Sequence, residues 1–251
     1  MKMRESILQK IIISILYPRR CPICGKIVVP RGELACPPCR LKLIPIEEPR
    51  CKKCSKPVDS EEIEYCLDCF TKHHEYKKGF ALWVYDANMK KSITDFKFHG
   101  RREYSDFYVD ELVKRFHIEI QKIAPDVLVP IPIHKSKQAQ RGYNQAEILA
   151  NGIGEMLNIP VISNLLKRDR KTLPQKQLND KERLKNLLKA FSFSKEALLQ
   201  YEEKYNRKVR KVLLVDDIYT TGSTIEACTG ILIQNEIEEV YFISICIGKG
   251  Y

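Results

Sequence analysis

Apolar residues follow two different patterns along this 251-residue chain, and the change between them falls near Gly79. At the start, Ile7, Leu8, Ile11, Ile12, Ile15 and Leu16 recur at helical spacing and predict an amphipathic helix packed on the protein itself. The chain then thins to scattered apolar residues among cysteines, prolines and charges, and ends this stretch in the polar run 71–78. Beyond it the pattern predicts strands and helices in alternation. Residues 80–85 read as a strand, 87–98 as a helix closed by Gly100, and 103–123 as a longer helix. Residues 126–129 form a buried strand, and 145–157 a helix capped by Asn144 with Glu147. Residues 212–215 are an unbroken apolar run of the kind buried on both faces of a parallel sheet, and 225–234 return to helical spacing. The order predicts an α/β domain over 79–251 behind a small unit over 1–78, each with its own core.

The chemistry gathers at one strand end. Asp216 and Asp217 follow the apolar run 212–215, and the crevice beyond the carboxyl ends of parallel strands is where such sheets bind ligands. Thr220, Thr221, Gly222, Ser223 and Thr224 come next, just before a helix. Hydroxyls and backbone N–H groups at a helix start, with a glycine that admits close approach, make a cradle for phosphate. An acid pair beside that cradle suits a ligand with a phosphate at one end and vicinal hydroxyls nearby. Pro130 and Pro132 stiffen the turn after the other buried strand, and Lys135, Lys137 and Arg141 make the following loop basic, where a second anionic group would sit.

Eight of the ten cysteines form four C-x-x-C pairs, Cys21/Cys24, Cys36/Cys39, Cys51/Cys54 and Cys66/Cys69, whose first members recur every fifteen residues. That spacing brings both thiolates of a pair to one tetrahedral metal, and two pairs complete a Cys₄ zinc site, so eight ligands predict two structural zinc ions. A disulfide scaffold conflicts with a reducing compartment, and iron–sulfur clusters do not need such regular pairing. Equal spacing favours sequential pairing into two stacked ribbons over an interleaved cross-brace that joins the first pair to the third. Ribbons this small have little core, so the metals must supply much of their folding energy. His73 and His74, just past the last pair, are expected at the surface, and Cys228 and Cys246 in the core.

Charge narrows the partners only slightly. The 43 Lys/Arg and 32 Asp/Glu give a net charge of +11, which favours anions without choosing among nucleotide, nucleic acid and pyrophosphate. The excess is local, since residues 165–190 hold nine basic side chains and three acidic ones. The apolar stretch near the N-terminus is too short for a secretory signal and runs into Pro18, Arg19 and Arg20; nothing approaches the roughly 20 apolar residues that span a bilayer. The chain reads as cytoplasmic.

The string V-L-L-V-D-D-I-Y-T-T-G-S-T resembles the signature of type I phosphoribosyltransferases. With V-P-I-P-I-H, R-G-Y-N-Q-A-E-I-L-A, L-L-K-R-D-R-K-T-x-x-Q and the N-terminal cysteine pairs, nearly the whole chain looks like the ComF family of competence-associated, phosphoribosyltransferase-like proteins. The resemblance implies the type I phosphoribosyltransferase fold behind a double zinc ribbon. It implies that Asp216 and Asp217 hydrogen-bond the ribose hydroxyls of phosphoribosyl pyrophosphate, and that Thr220, Thr221, Gly222, Ser223 and Thr224 hold its 5′ phosphate. Residues 130–141, with Pro132 and Arg141, would form the pyrophosphate loop, and 165–190 a hood carrying Arg168, Arg170, Lys171, Gln175, Arg183 and Asn186. Catalysis would then be displacement at the ribose C1, with Arg141, the hood cations and Mg²⁺ on the departing pyrophosphate. The competing expectation is a non-catalytic phosphate or single-stranded-DNA module in DNA uptake, working with competence proteins such as a DNA-uptake helicase. Tyr65, Phe70 and Tyr143 are its candidate base-stacking aromatics.

Overall fold

A computed structural model describes residues 17–169 and 188–248. The predicted N-terminal helix, and Arg170, Lys171, Gln175, Arg183 and Asn186 of the hood, lie outside the described residues. In order the elements are α1 (Pro37–Arg40), α2 (Leu67–Thr71), β1 (Gly79–Val84), α3 (Ala87–Phe98), α4 (Tyr104–Ile123), β2 (Val127–Pro130), α5 (Lys135–Arg141) and α6 (Gln145–Leu157). They continue with β3 (Leu166–Arg168), β4 (Phe191–Phe193), α7 (Lys195–Tyr205), β5 (Lys211–Tyr219), α8 (Ser223–Gln234) and β6 (Glu239–Ile247). No helix among the described residues is long and apolar enough to cross a membrane.

Four strands make one parallel sheet in the order β1-β6-β5-β2, with Val127 opposite Val212 and Pro130 opposite Val215, and β3 and β4 form a separate antiparallel pair. Alternation along β5 divides the core in two. Leu213 and Val215 pack with Phe107, Tyr108, Leu112, Leu149 and Ile153 of α4 and α6. Val212 and Leu214 pack with Ile225, Cys228 and Leu232 of α8 and Tyr201 of α7. The sheet is thus covered on both faces, which is why its strands read as continuous apolar runs. Local signals set the helix ends. Asp86 caps α3 by accepting the N–H of Met89 at 2.8 Å, and Asn144 caps α6 through the N–H of Ala146 at 3.2 Å.

The expectation of separate cores is overturned. Cys21, Ile23, Val28, Ala35, Cys39 and Leu43 of the first ribbon belong to the α4 side of the core, and Ile46, Cys51, Cys54, Cys66 and Tyr76 to the α8 side. The segment between the ribbons lies along β1, the edge strand: the N–H of Ile46 donates to Leu82 O and that of Val84 to Ile44 O, both at 2.9 Å. Two ribbons therefore straddle one sheet edge and cover backbone groups that would otherwise invite pairing. Arg19 to Asp106 (2.6 Å) and Arg40 to Glu111 (2.5 Å) tie the first ribbon to α4.

Candidate phosphate and metal sites

β5 runs four residues past the expected end of its apolar stretch, because β6 continues to pair with it as far as Tyr219 opposite Ile247. Asp216 and Asp217 are consequently held in extended backbone and point to opposite sides of it. Asp217 accepts a 2.7 Å ion pair from Lys97 Nζ of α3, with both side chains mostly buried. Asp216 accepts the N–H of Asp217 at 2.8 Å. Its carboxyl is pushed up to about 7 by burial and by the charge of Asp217, against the pull of Lys97, that N–H and Arg168.

Cations surround the acids. β2 ends beside Val215, so the turn carrying buried Pro132 leaves the sheet one residue short of Asp216 and delivers α5. Lys137 of α5 is pushed down by partial burial and by Arg168, Arg141 and Lys97, with Asp217 opposing. Arg141 lies 4.6 Å from the centre of the Phe98 ring and donates to Gln145 Oε1 at 2.9 Å, while its buried Nε has no hydrogen-bond partner among the described residues. Burial lowers its guanidinium and Asp217 raises it. Lys97, Lys137, Arg141 and Arg168 thus come from three separate elements into electrostatic reach of one another and of the acid pair.

The loop after β5 forms a small pocket of its own, lined from Asp216 through Thr220, Thr221, Gly222, Ser223 and Thr224 to Ile225. Gly222 caps α8 with φ +77°, and a Cβ there would fall 2.3 Å from Tyr219 Oη, so conformation and space both require glycine. α8 starts at Ser223, two residues earlier than the apolar pattern indicates, because Ser223 and Thr224 are polar and carry no periodicity. Thr221 Oγ1 and Ser223 Oγ are 3.0 Å apart, and the first N–H groups of α8 have no helical acceptor.

The cysteines gather as Cys21, Cys24, Cys36, Cys39 and as Cys51, Cys54, Cys66, Cys69, with the sulfur atoms of each group within 4.8 Å of one another. Pairing is sequential. The two first knuckles share a turn: Gly25 N–H bonds Cys21 O at 2.9 Å with φ +74°, and Ser55 N–H bonds Cys51 O at 3.0 Å with φ +69°. Every described cysteine is free of disulfides, and four clustered thiols without a solvent position fit a closed structural zinc site. His73 is exposed as expected. His74 is not: its side chain is buried and its Nδ1 lies 2.9 Å from Glu226 Oε2 on α8.

The double zinc ribbon domain family matches residues 12–70. Competence protein F of Haemophilus influenzae is 31% identical over 188 residues, which cover 70% of this chain and 76% of that protein. The chain belongs to the ComF family. Competence protein ComFC of Bacillus subtilis is 26% identical over 72% of this chain and 70% of its own. DNA utilization protein YhgH of Escherichia coli K12 is 24% identical over 77% of this chain and 82% of its own. A purine phosphoribosyltransferase from Pyrococcus horikoshii is a weak structural likeness, with a TM-score of 0.31 and 15% identity over 56% of this chain and 86% of that one.

In this ComF protein the residues that sequence reasoning passed over are the ones brought in from afar. Lys97 stands in the apolar-patterned helix α3, 120 residues before its partner Asp217, and only its odd position in F-K-F-H-G marks it. Tyr143, a candidate stacking aromatic, is unavailable for that role: it is 7% exposed, bonds Phe96 O, and lies under Arg102.

Proposed function

We propose that this ComF protein binds phosphoribosyl pyrophosphate with Mg²⁺ at the end of β5 and the start of α8, and transfers its phosphoribosyl group in the cytoplasm as part of DNA uptake. The observation that carries the reading is an acid pair with four cations in electrostatic reach, set directly before a glycine-capped helix start whose pocket Asp216 lines. Thr220, Thr221, Gly222, Ser223 and Thr224 hold the 5′ phosphate through hydroxyls and N–H groups. Asp216, which faces the loop pocket, and Asp217, on the other side of β5 beside Lys97, each accept a ribose hydroxyl, which brings carboxylate charge toward C1 as positive charge grows there. The bond from C1 to the pyrophosphate oxygen breaks ahead of bond formation to the acceptor, and its electron pair leaves with pyrophosphate. Arg141, Lys137, Arg168 and Lys97 receive that charge, with Arg170 and Lys171 of the hood. Mg²⁺, carried on the pyrophosphate, adds charge neutralisation there, and the acid pair offers the oxygen ligands it prefers.

A second reading, a DNA-gripping module, has its own support. Tyr65 and Phe70 of the second ribbon are 44% and 75% exposed, amid lysines, and the relatives are named for competence and DNA utilization. Base stacking on such rings is sequence-tolerant. Partners in that setting would be single-stranded DNA and a DNA-uptake helicase. Calorimetry of the zinc-loaded protein with phosphoribosyl pyrophosphate and Mg²⁺, and separately with an oligonucleotide, tests both. Saturable sugar binding lost in Asp216→Asn/Asp217→Asn supports the ribosyl site. Oligonucleotide binding that vanishes in Tyr65→Ala/Phe70→Ala, with no sugar binding in the parent protein, replaces it with the second reading.

A further inference from the structure

The second ribbon reaches the phosphate loop through buried phenols. Cys69 Sγ lies 3.8 Å from Tyr76 Oη, which lies 2.9 Å from Tyr219 Oη. Both rings are sealed from solvent and share Phe242 of β6 as a wall: Tyr219 stacks on it at 4.7 Å and Tyr76 meets it edge-on at 5.0 Å. Tyr219 immediately precedes Thr220, and its hydroxyl fills the space beneath Gly222. A second tie runs alongside. Glu226 in the first turn of α8 takes His74 Nδ1 at 2.9 Å and the N–H of Glu75 at 3.1 Å, while its own N–H closes on Gly222 O at 2.8 Å. The first ribbon is anchored elsewhere, through Arg19 and Arg40 to the α4 side and through Lys42 O to Asn88 of α3.

We infer that Tyr76 is a positioning residue for the anion site, and that the second Cys₄ site, unlike the first, is energetically linked to ligand binding at the phosphate loop. The inference rests on the reading that this loop binds phosphate. A cradle of N–H groups selects an anion only if its backbone is already in place. Here the segment from Cys69 to Tyr76 leaves the second metal cage and props both the residue before the loop and the first turn of the helix after it. Holding Cys69 in a closed cage therefore holds Tyr219 and Glu226, whereas freeing it leaves α8 to find its own position. Linkage is reciprocal: whatever factor the second metal contributes to anion affinity, the bound anion returns to the metal.

The test uses the full chain loaded with zinc. Zinc affinity is measured by equilibrium competition with a chromophoric chelator, with and without saturating phosphoribosyl pyrophosphate and Mg²⁺, alongside calorimetry of the sugar. One zinc equivalent should tighten at least threefold and the other stay unchanged. The Cys36→Ser/Cys39→Ser protein should retain the responsive equivalent, and the Cys66→Ser/Cys69→Ser protein should lose it. Tyr76→Phe keeps the ring against Phe242 and both zinc ions, so it should bind the sugar at least threefold more weakly and show no tightening. Undiminished linkage in Tyr76→Phe, equal tightening of both equivalents, or no tightening while calorimetry records bound sugar would each overturn the inference. Failure of the parent protein to bind the sugar at all would overturn the loop assignment itself, and this inference with it.

Discussion

The carboxyl of Asp216 should make the empty protein less stable as pH rises, and Asp216→Asn should abolish that loss. Its folded value of about 7 stands above its ordinary 3.8, with burial the first cause and Asp217 the second. Below about pH 4 the folded and unfolded chains both hold the proton. From there to about pH 7 the unfolded chain releases it while the folded one does not, so stability falls by up to about 1.4 kcal/mol per pH unit. Above pH 7 the loss is complete. An interval of roughly three units sets a ceiling of about 4 kcal/mol, and because solvent still reaches the partly exposed side chain, about 2 kcal/mol is the expected net. In a chain of this size that corresponds to roughly 4–8 °C in melting temperature. Scanning calorimetry of both proteins from pH 4 to 8.5, in phosphate-free buffer at fixed zinc, should show a gap that opens with pH, levels above pH 7.5, and favours the variant. Subtracting the two curves removes the carboxylates they share. A gap independent of pH, or a parent protein more stable at pH 8, would refute the reasoning.

Asp217→Asn should act in the opposite sense, because it leaves Lys97 without its carboxylate in a half-dry site; a loss of about 1–3 kcal/mol at pH 8, read in the same scans, is expected. Asp216→Asn/Asp217→Asn should weaken phosphoribosyl pyrophosphate at least tenfold in calorimetry, since each charge-assisted bond is worth roughly 1.5–3 kcal/mol, and leave inorganic phosphate unchanged. Gly222→Ala should cost affinity for both ligands without loss of zinc, because it strains the turn and drives a methyl into Tyr219. Chelation should perturb the near-ultraviolet signal of Trp83, the single tryptophan, along with the ribbons, because its strand pairs with the segment between them.

What the sequence reveals and what it hides divide by distance along the chain. The acid pair, the glycine-capped loop and the cysteine pairs are each encoded within a few residues, so they are visible in their order alone, and equal spacing indicates the sequential cysteine grouping. The ion pair of Lys97 with Asp217 cannot be read that way, since the odd place of Lys97 in F-K-F-H-G says nothing of a partner 120 residues away. Nor could the joined cores: Leu43, Ile44 and Ile46 are a few apolar residues in a linker until β1 lies beside them. His74 is misjudged for the same reason, its buried partner Glu226 being 152 residues away. β5 outruns its apolar stretch because two charged residues look like the end of a strand unless a neighbour keeps pairing with them. That neighbour, β6, belongs to another part of the chain.

The place of β6 also bears on how the parts of the protein hold together. It is an inner strand of the sheet, the one that pairs with both β1 and β5. Without residues 239–247 the edge strand dressed by the ribbons has no inner neighbour, and the strand bearing Asp216 and Asp217 is supported on one side only. A single strand therefore rivets the cysteine-rich part to the half of the sheet that carries the acid pair. Local opening of β6 would uncover two unpaired sheet edges at once, so damage there reaches both parts of the protein together.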